Sequence, residues 1–241
     1  TRNDSSTYTA LISANGGGTL SSTTRVYCVL PITYNGNVQP TSCEIAMPTI
    51  TTASSVTPIF VGWNTNKNAT TNNSNYNKTT NKLTLTSGNS SQTWYLITTN
   101  SPVTYTGKVN GNGSTLSSTN DISCTVGSTF NGNAQATSCT VTMPAVTAPS
   151  ATPTKVGWNT NANATTNDSS YTLSTNILGL SKSNTGKTWY PVFSANQYTI
   201  TFDGNGGTAS SATKKVTYNE TYGTLPTATR TADQNTNANY S

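Results

Sequence analysis

The chain has 241 residues, of which only 8% are charged, with no His and a formal net charge of +5. Thr, Asn and Ser number 52, 31 and 29, so these three uncharged polar residue types fill 112 positions. That composition excludes a membrane-spanning helix, which needs about 18 consecutive apolar residues, a coiled coil, and any chemistry that requires an imidazole as base or metal ligand.

The first residues, Thr1-Arg2-Asn3-Asp4-Ser5-Ser6, carry neither the basic nor the apolar region of a secretory leader, which reads as a processed chain or a fragment. Tyr8–Ile12 alternates with the period of a strand. Gly16-Gly17-Gly18 follows without the Lys-Ser/Thr and long helix of a phosphate loop, so it reads as a turn. Ser21–Arg25 is the helix candidate, a single turn at most. Cys28 and Cys43 then flank Asn35-Gly36, a strong two-residue hairpin turn. A hairpin centred there sets Cys28 opposite Cys43, which predicts a disulfide stapling its base. Two thiols and no His leave zinc short of ligands, so no metal or other cofactor is expected. Val61-Gly62-Trp63 reads as a strand, Asn64–Asn81 as a loop, and Lys82–Thr86 and Trp94–Ile97 as later strands.

The rest of the chain repeats this order. Val61-Gly62-Trp63-Asn64-Thr65 returns 95 residues on as Val156-Gly157-Trp158-Asn159-Thr160, and Thr93-Trp94-Tyr95 as Thr188-Trp189-Tyr190. Cys124 and Cys139 return the first cysteine pair about a second Asn-Gly, Asn131-Gly132, which predicts a second disulfide. Met47-Pro48 returns as Met143-Pro144, while the match of Ser21–Arg25 is Ser117–Asp121. All four Cys, all four Trp and both Met fall on matched positions. Self-similarity of this kind marks a tandem array, here a module at 1–101, a second at 102–196, and an incomplete third at 197–241. The third has no Cys, and Thr231–Tyr240 is polar where a Gly-Trp strand is due. Either the polypeptide continues, or a neighbouring subunit supplies the missing strands.

Tyr198-Thr199-Ile200-Thr201-Phe202-Asp203-Gly204-Asn205-Gly206-Gly207-Thr208, followed by Val216-Thr217-Tyr218-Asn219 and Leu225-Pro226, resembles the Listeria–Bacteroides repeat. This is the internalin B-repeat-like module of bacterial surface proteins. The match is best over 198–230, and the first two modules are more distant versions with an added cysteine pair. The resemblance implies a mainly β chain of tandem, small β-grasp-like modules, each a mixed sheet with a short helix or turn on one face. It implies arrays that act as stalks, spacers or adhesive segments, and it brings no catalytic residue to carry over.

The repeats also test for chemistry. No carboxylate is matched between the two full copies: Glu44 faces Thr140, Asp121 faces Arg25 and Asp168 faces Asn73. A shared acid/base pair is therefore absent, and no catalytic residue is expected. Lys82 faces Ile177, against a shared isopeptide cross-link. Lys and Arg are scattered, with Lys214-Lys215 the only adjacent pair, which is no nucleic-acid stripe. Ten Asn-X-Ser/Thr sequons occur, no more than the composition gives by chance. Trp63, Trp94, Trp158 and Trp189 are expected to anchor module cores; exposed, they would stack on sugar rings instead. Two disulfides imply an extracellular or cell-surface site. The leading expectation is a non-enzymatic structural protein that forms a stalk, pilus-like fibre or filament through self-association or neighbouring modules of a longer chain. The rival is an adhesin that binds glycans through module loops or exposed Trp. A Thr-row surface for ice or mineral is disfavoured, because Leu83-Thr84-Leu85-Thr86 becomes Ile177-Leu178-Gly179-Leu180 in the second copy.

Overall fold

A computed structural model describes residues 2–150 and 152–230; the polar run past Arg230 lies outside them. The described residues form strands and turns, with no helix among them. They gather into two compact units. One joins the described residues up to Thr104 to Thr125–Cys139, and the other joins Tyr105–Cys124 to those from Thr140 on.

In the first unit a four-stranded sheet runs in the order Val26–Leu30, Ser6–Ser13, Gln92–Thr99, Ile59–Asn64. Its central strands are parallel, with Trp94 beside Ile12, and both outer pairs are antiparallel. A parallel pair needs a long crossover and cover on its face. The crossover itself supplies the cover: Ser42–Ala46, Lys82–Thr86 and Tyr76–Asn77 make a three-stranded antiparallel sheet. Strand alternation buries Leu83 and Leu85 from one sheet and Trp94 and Leu96 from the other. With Ala10, Leu20, Met47, Trp63 and Tyr76 they form one core. A buried leucine contributes about 1.5–3 kcal/mol and the larger indoles bury more area still. A chain poor in apolar residues is thus sustained by a few large ones at matched sites.

Ser21–Arg25 is not helical. A segment so short cannot meet the cost of helix nucleation, and its groups bond elsewhere. The Ser21 N–H donates to the Thr49 carbonyl at 2.8 Å, and its Oγ accepts the Thr49 N–H at 3.1 Å. Ser117 makes the same two bonds with Ala145.

The sheet order recurs as Ile122–Val126, Val103–Val109, Thr188–Ser194, Thr154–Asn159, again with a parallel central pair. The second three-stranded sheet is Ser138–Thr142, Ile177–Ser181, Tyr171–Thr172. The third segment pairs Gln197–Thr201 with Thr213–Thr217 and Thr208–Ala209 with Ala228–Thr229. None of its described residues is fully enclosed.

Asparagine fastens the loops. Asn72 Oδ1 accepts the Trp63 N–H, and its Nδ2 donates to the Tyr76 carbonyl. Asn167 repeats this with Trp158 and Tyr171. Asn81 accepts the Tyr76 hydroxyl and donates to the Met47 carbonyl, as Asn176 does with Tyr171 and Met143. A Cβ on Gly62 or Gly157 would overlap the Asn72 or Asn167 side chain, so Trp63 and Trp158 are each preceded by glycine for want of space.

Candidate functional site

Cys28 and Cys43 are joined, with 2.03 Å between sulfurs and 6.2 Å between Cα atoms. Cys124 and Cys139 are disulfide-bonded as well, and no described cysteine is free. The strands that carry the first pair are not ladder partners. Cys28 stands opposite Tyr8 in the mixed sheet, and Cys43 opposite Leu85 in the three-stranded one. The bond therefore ties sheet to sheet, where the hairpin reading placed it across a single ladder. All four tryptophans are fully enclosed, at 0% exposure, and none of their indole N–H groups meets an acceptor among the described residues. No indole face is presented to a ligand.

A dense polar constellation of the first unit is the Asn131-Gly132 turn and the seat that receives it. Asn131 at φ 57° and Gly132 at φ 79° take the left-handed conformations of a tight hairpin turn. Gln135 braces it from behind, its Nε2 donating to the Ser101 and Gly127 carbonyls at 2.9 and 3.0 Å. Asn100 and Thr129 clasp its base. Asn100 Nδ2 donates to Thr129 Oγ1 at 2.7 Å, and the Thr129 N–H donates to Asn100 Oδ1 at 2.8 Å.

At the tip, the Asn131 N–H donates to the Thr98 carbonyl at 2.9 Å, and the Thr98 N–H returns a 3.3 Å bond to Asn131 Oδ1. Asn131 Nδ2 reaches the Lys67 and Ala69 carbonyls at 3.0 and 3.2 Å. The Gly132 N–H donates to Thr57 Oγ1 at 3.0 Å, which is itself paired with Thr98 Oγ1 at 2.9 Å. Thr57 and Thr98 are buried at 0% and 1% exposure. Packing is backbone on backbone: a Cβ on Gly16 would lie 2.8 Å from the Asn131 carbonyl oxygen, and one on Gly132 2.8 Å from that of Gly16. The groups that make these bonds are amides, hydroxyls and carbonyls, all neutral. The seat has no nucleophile beside a base; what its geometry provides is retention of a turn.

Among the described residues, burial perturbs three titratable groups. It raises the Tyr76 and Tyr171 hydroxyls above their ordinary 10.0 and lowers Lys155 below its ordinary 10.5. Lys155 Nζ donates to Tyr171 Oη and Asn176 Oδ1, both at 3.1 Å, and lies 5.4 Å from the Trp158 ring centre. Phe60 holds the matched position in the first repeat, edge-on to Tyr76 with ring centres 6.3 Å apart. Neither the seat nor the Lys155 cluster was found from the sequence. The Asn-Gly pair at 131–132 and the Lys-for-Phe exchange at 155 were the signals present. Among the described residues no group of three His, Cys, Asp or Glu side chains is placed to hold a metal ion.

No protein-family model matches this chain, and no curated protein or solved structure is significantly similar to it.

Proposed function

We propose that this chain is a non-enzymatic, extracellular structural repeat protein, part of a stalk, pilus-like fibre or filament on a bacterial surface. On this reading its modules are β-grasp-like and of the Listeria–Bacteroides, internalin B-repeat-like kind. The sheet order supports the fold, since a β-grasp sheet also runs second, first, last, third with its central strands parallel. The cover here is a three-stranded sheet in place of a helix. The observation that carries the function is the seated turn: a loop belonging to the second repeat is built into the compact unit of the first. Such a joint suits a tandem array that must resist bending. Because its bonds are between neutral groups, salt screening leaves it intact. Two disulfides fit an oxidising compartment, and no helix of the described residues is long and apolar enough to cross a membrane.

Electron microscopy of the native material tests the reading. Ordered rods or fibres of repeating width support it, and dispersed particles joined by flexible strings contradict it. The glycan-binding rival keeps one favourable feature, a groove in the third segment lined by the half-exposed rings of Tyr198, Tyr218 and Tyr222. Glycan-array binding that is lost on Tyr222→Ala would move the assignment to an adhesin.

A further inference from the structure

We infer that the Tyr34-Asn35-Gly36 turn is a docking plug for the Thr57–Thr98 type of seat on another module of this repeat. The inference rests on the structural reading above and extends it to a surface of the first repeat that is bare. Asn35 and Gly36 adopt φ 58° and 77°, against 57° and 79° at Asn131 and Gly132. Gln39 braces this turn as Gln135 braces the other, its Nε2 donating to the Asp4 and Pro31 carbonyls, both at 2.9 Å. The clasp at the base is also formed. Asn3 Nδ2 donates to Thr33 Oγ1 at 3.1 Å, where Asn100 bonds Thr129, and Arg2 stands beside Tyr34 as Thr99 stands beside Phe130.

What is missing is the seat. Tyr34, Asn35, Gly36 and Asn37 are all exposed, Tyr34 at 53%, whereas Phe130, Asn131 and Gly132 are half-buried. A Cβ on Gly36 would meet nothing within 4 Å. The Asn35 amide has no hydrogen-bond partner among the described residues, although the matched amide of Asn131 makes three such bonds. A turn held in docking geometry by its own braces, with its amide unused, is complementary to a seat of two loop carbonyls, a buried threonine pair and a close-packed glycine of the kind that receives Asn131 and Gly132. The occupant is therefore a second module with the Gly16, Thr57, Lys67–Ala69 and Thr98 arrangement, placed before Arg2 as the first repeat is placed before Thr99.

The test extends the full chain at its N-terminus by a copy of its own residues 1–98 joined directly to Arg2. The copy carries Tyr34→Phe so that its turn peptide differs in mass. Hydrogen exchange of the original 33–37 amides should slow by about tenfold or more relative to the unextended chain, as expected for closing a docked segment. Asn35→Asp in the original turn, which keeps the left-handed conformation but removes the Nδ2 donors, should restore fast exchange. Unchanged exchange overturns the inference, and so does equal slowing with and without Asn35→Asp. The 129–133 amides in the same sample separate the two claims. Protection there without protection at 33–37 overturns the plug alone; no protection at either turn removes the seated joint and the structural proposal with it. Should the extension fail to fold, the unextended full chain, whose 33–37 turn keeps its braces, is titrated onto the isotope-labelled Asn131→Asp chain. Absence of resonance shifts at Thr57 and Thr98 then overturns the inference.

Discussion

Asn131 shows how one side chain turns a loop into a joint. Its backbone needs the left-handed region, which asparagine tolerates better than most residues, and its amide spends both donors on the Lys67 and Ala69 carbonyls. Asn131→Asp keeps the shape and removes those donors, setting a carboxylate against two carbonyl oxygens. The Thr98 and Gly132 amides should then exchange about tenfold faster, the equivalent of about 1.4 kcal/mol for hydrogen bonds lost to partly exposed carbonyls; hydrogen-exchange mass spectrometry measures it. Lys155 makes a different residue-scale prediction. Because burial lowers its pKa, the folded state releases this proton before the unfolded state does. Between the folded value and 10.5 the unfolded chain binds more protons, so stability rises with pH through that window. Tyr171, raised above 10.0, acts in the opposite sense: the unfolded chain loses that proton first, and stability falls as pH climbs past 10.0. Lys155→Met removes only the rising part. The wild-type melting temperature should gain on that of the variant as pH increases, with no further gain above 10.5. A constant difference across the range would contradict the assignment. From the sequence, Asn131-Gly132 was legible as a turn, but turn chemistry does not say what a turn meets. Lys155 was one scattered charge, since Tyr171 and Asn176 lie 16 and 21 positions away.

At the scale of elements, the sequence placed strands at Tyr8–Ile12, Lys82–Thr86 and Trp94–Ile97, all within strands of the structure. Alternation and β-branching suffice for that. The partners of Cys28 and Cys43 were also legible, because a turn halfway between two cysteines brings them close whatever follows. The sheets they belong to were not. Strand pairing is decided by which apolar faces meet, and Val26–Leu30 buries Leu30 beside Ser6–Ser13 rather than beside Ser42–Ala46. Since the bond ties two sheets across a core, its loss loosens sheet packing and not only a turn. Closing a loop of this length contributes about 3 kcal/mol in the chain-entropy account. Reduction should therefore make the first two repeats susceptible to limited proteolysis while the digestion pattern of 197–230 stays the same. Equal resistance of the first two repeats with and without reductant would refute this.

For the whole molecule, the arrangement of the end strands has a mechanical consequence. Ser6–Ser13 and Gln92–Thr99 are neighbours and parallel, and they are the first and last long strands of their repeat. Tension applied through the two ends slides these strands past each other along their length. The hydrogen bonds between them are then loaded together in shear, not opened one after another like a zip. The cysteine pair limits what yields after that. It shortcuts a separation of 15 residues, about 50 Å of extended chain, and the docking turn lies inside the protected loop. Stretched singly between a surface and a cantilever, the first repeat should release a length about 50 Å shorter when oxidised than in reductant, with little change in the force at which it first gives way. The disulfide is then a stop on extension, and the parallel pair is the element that bears the load.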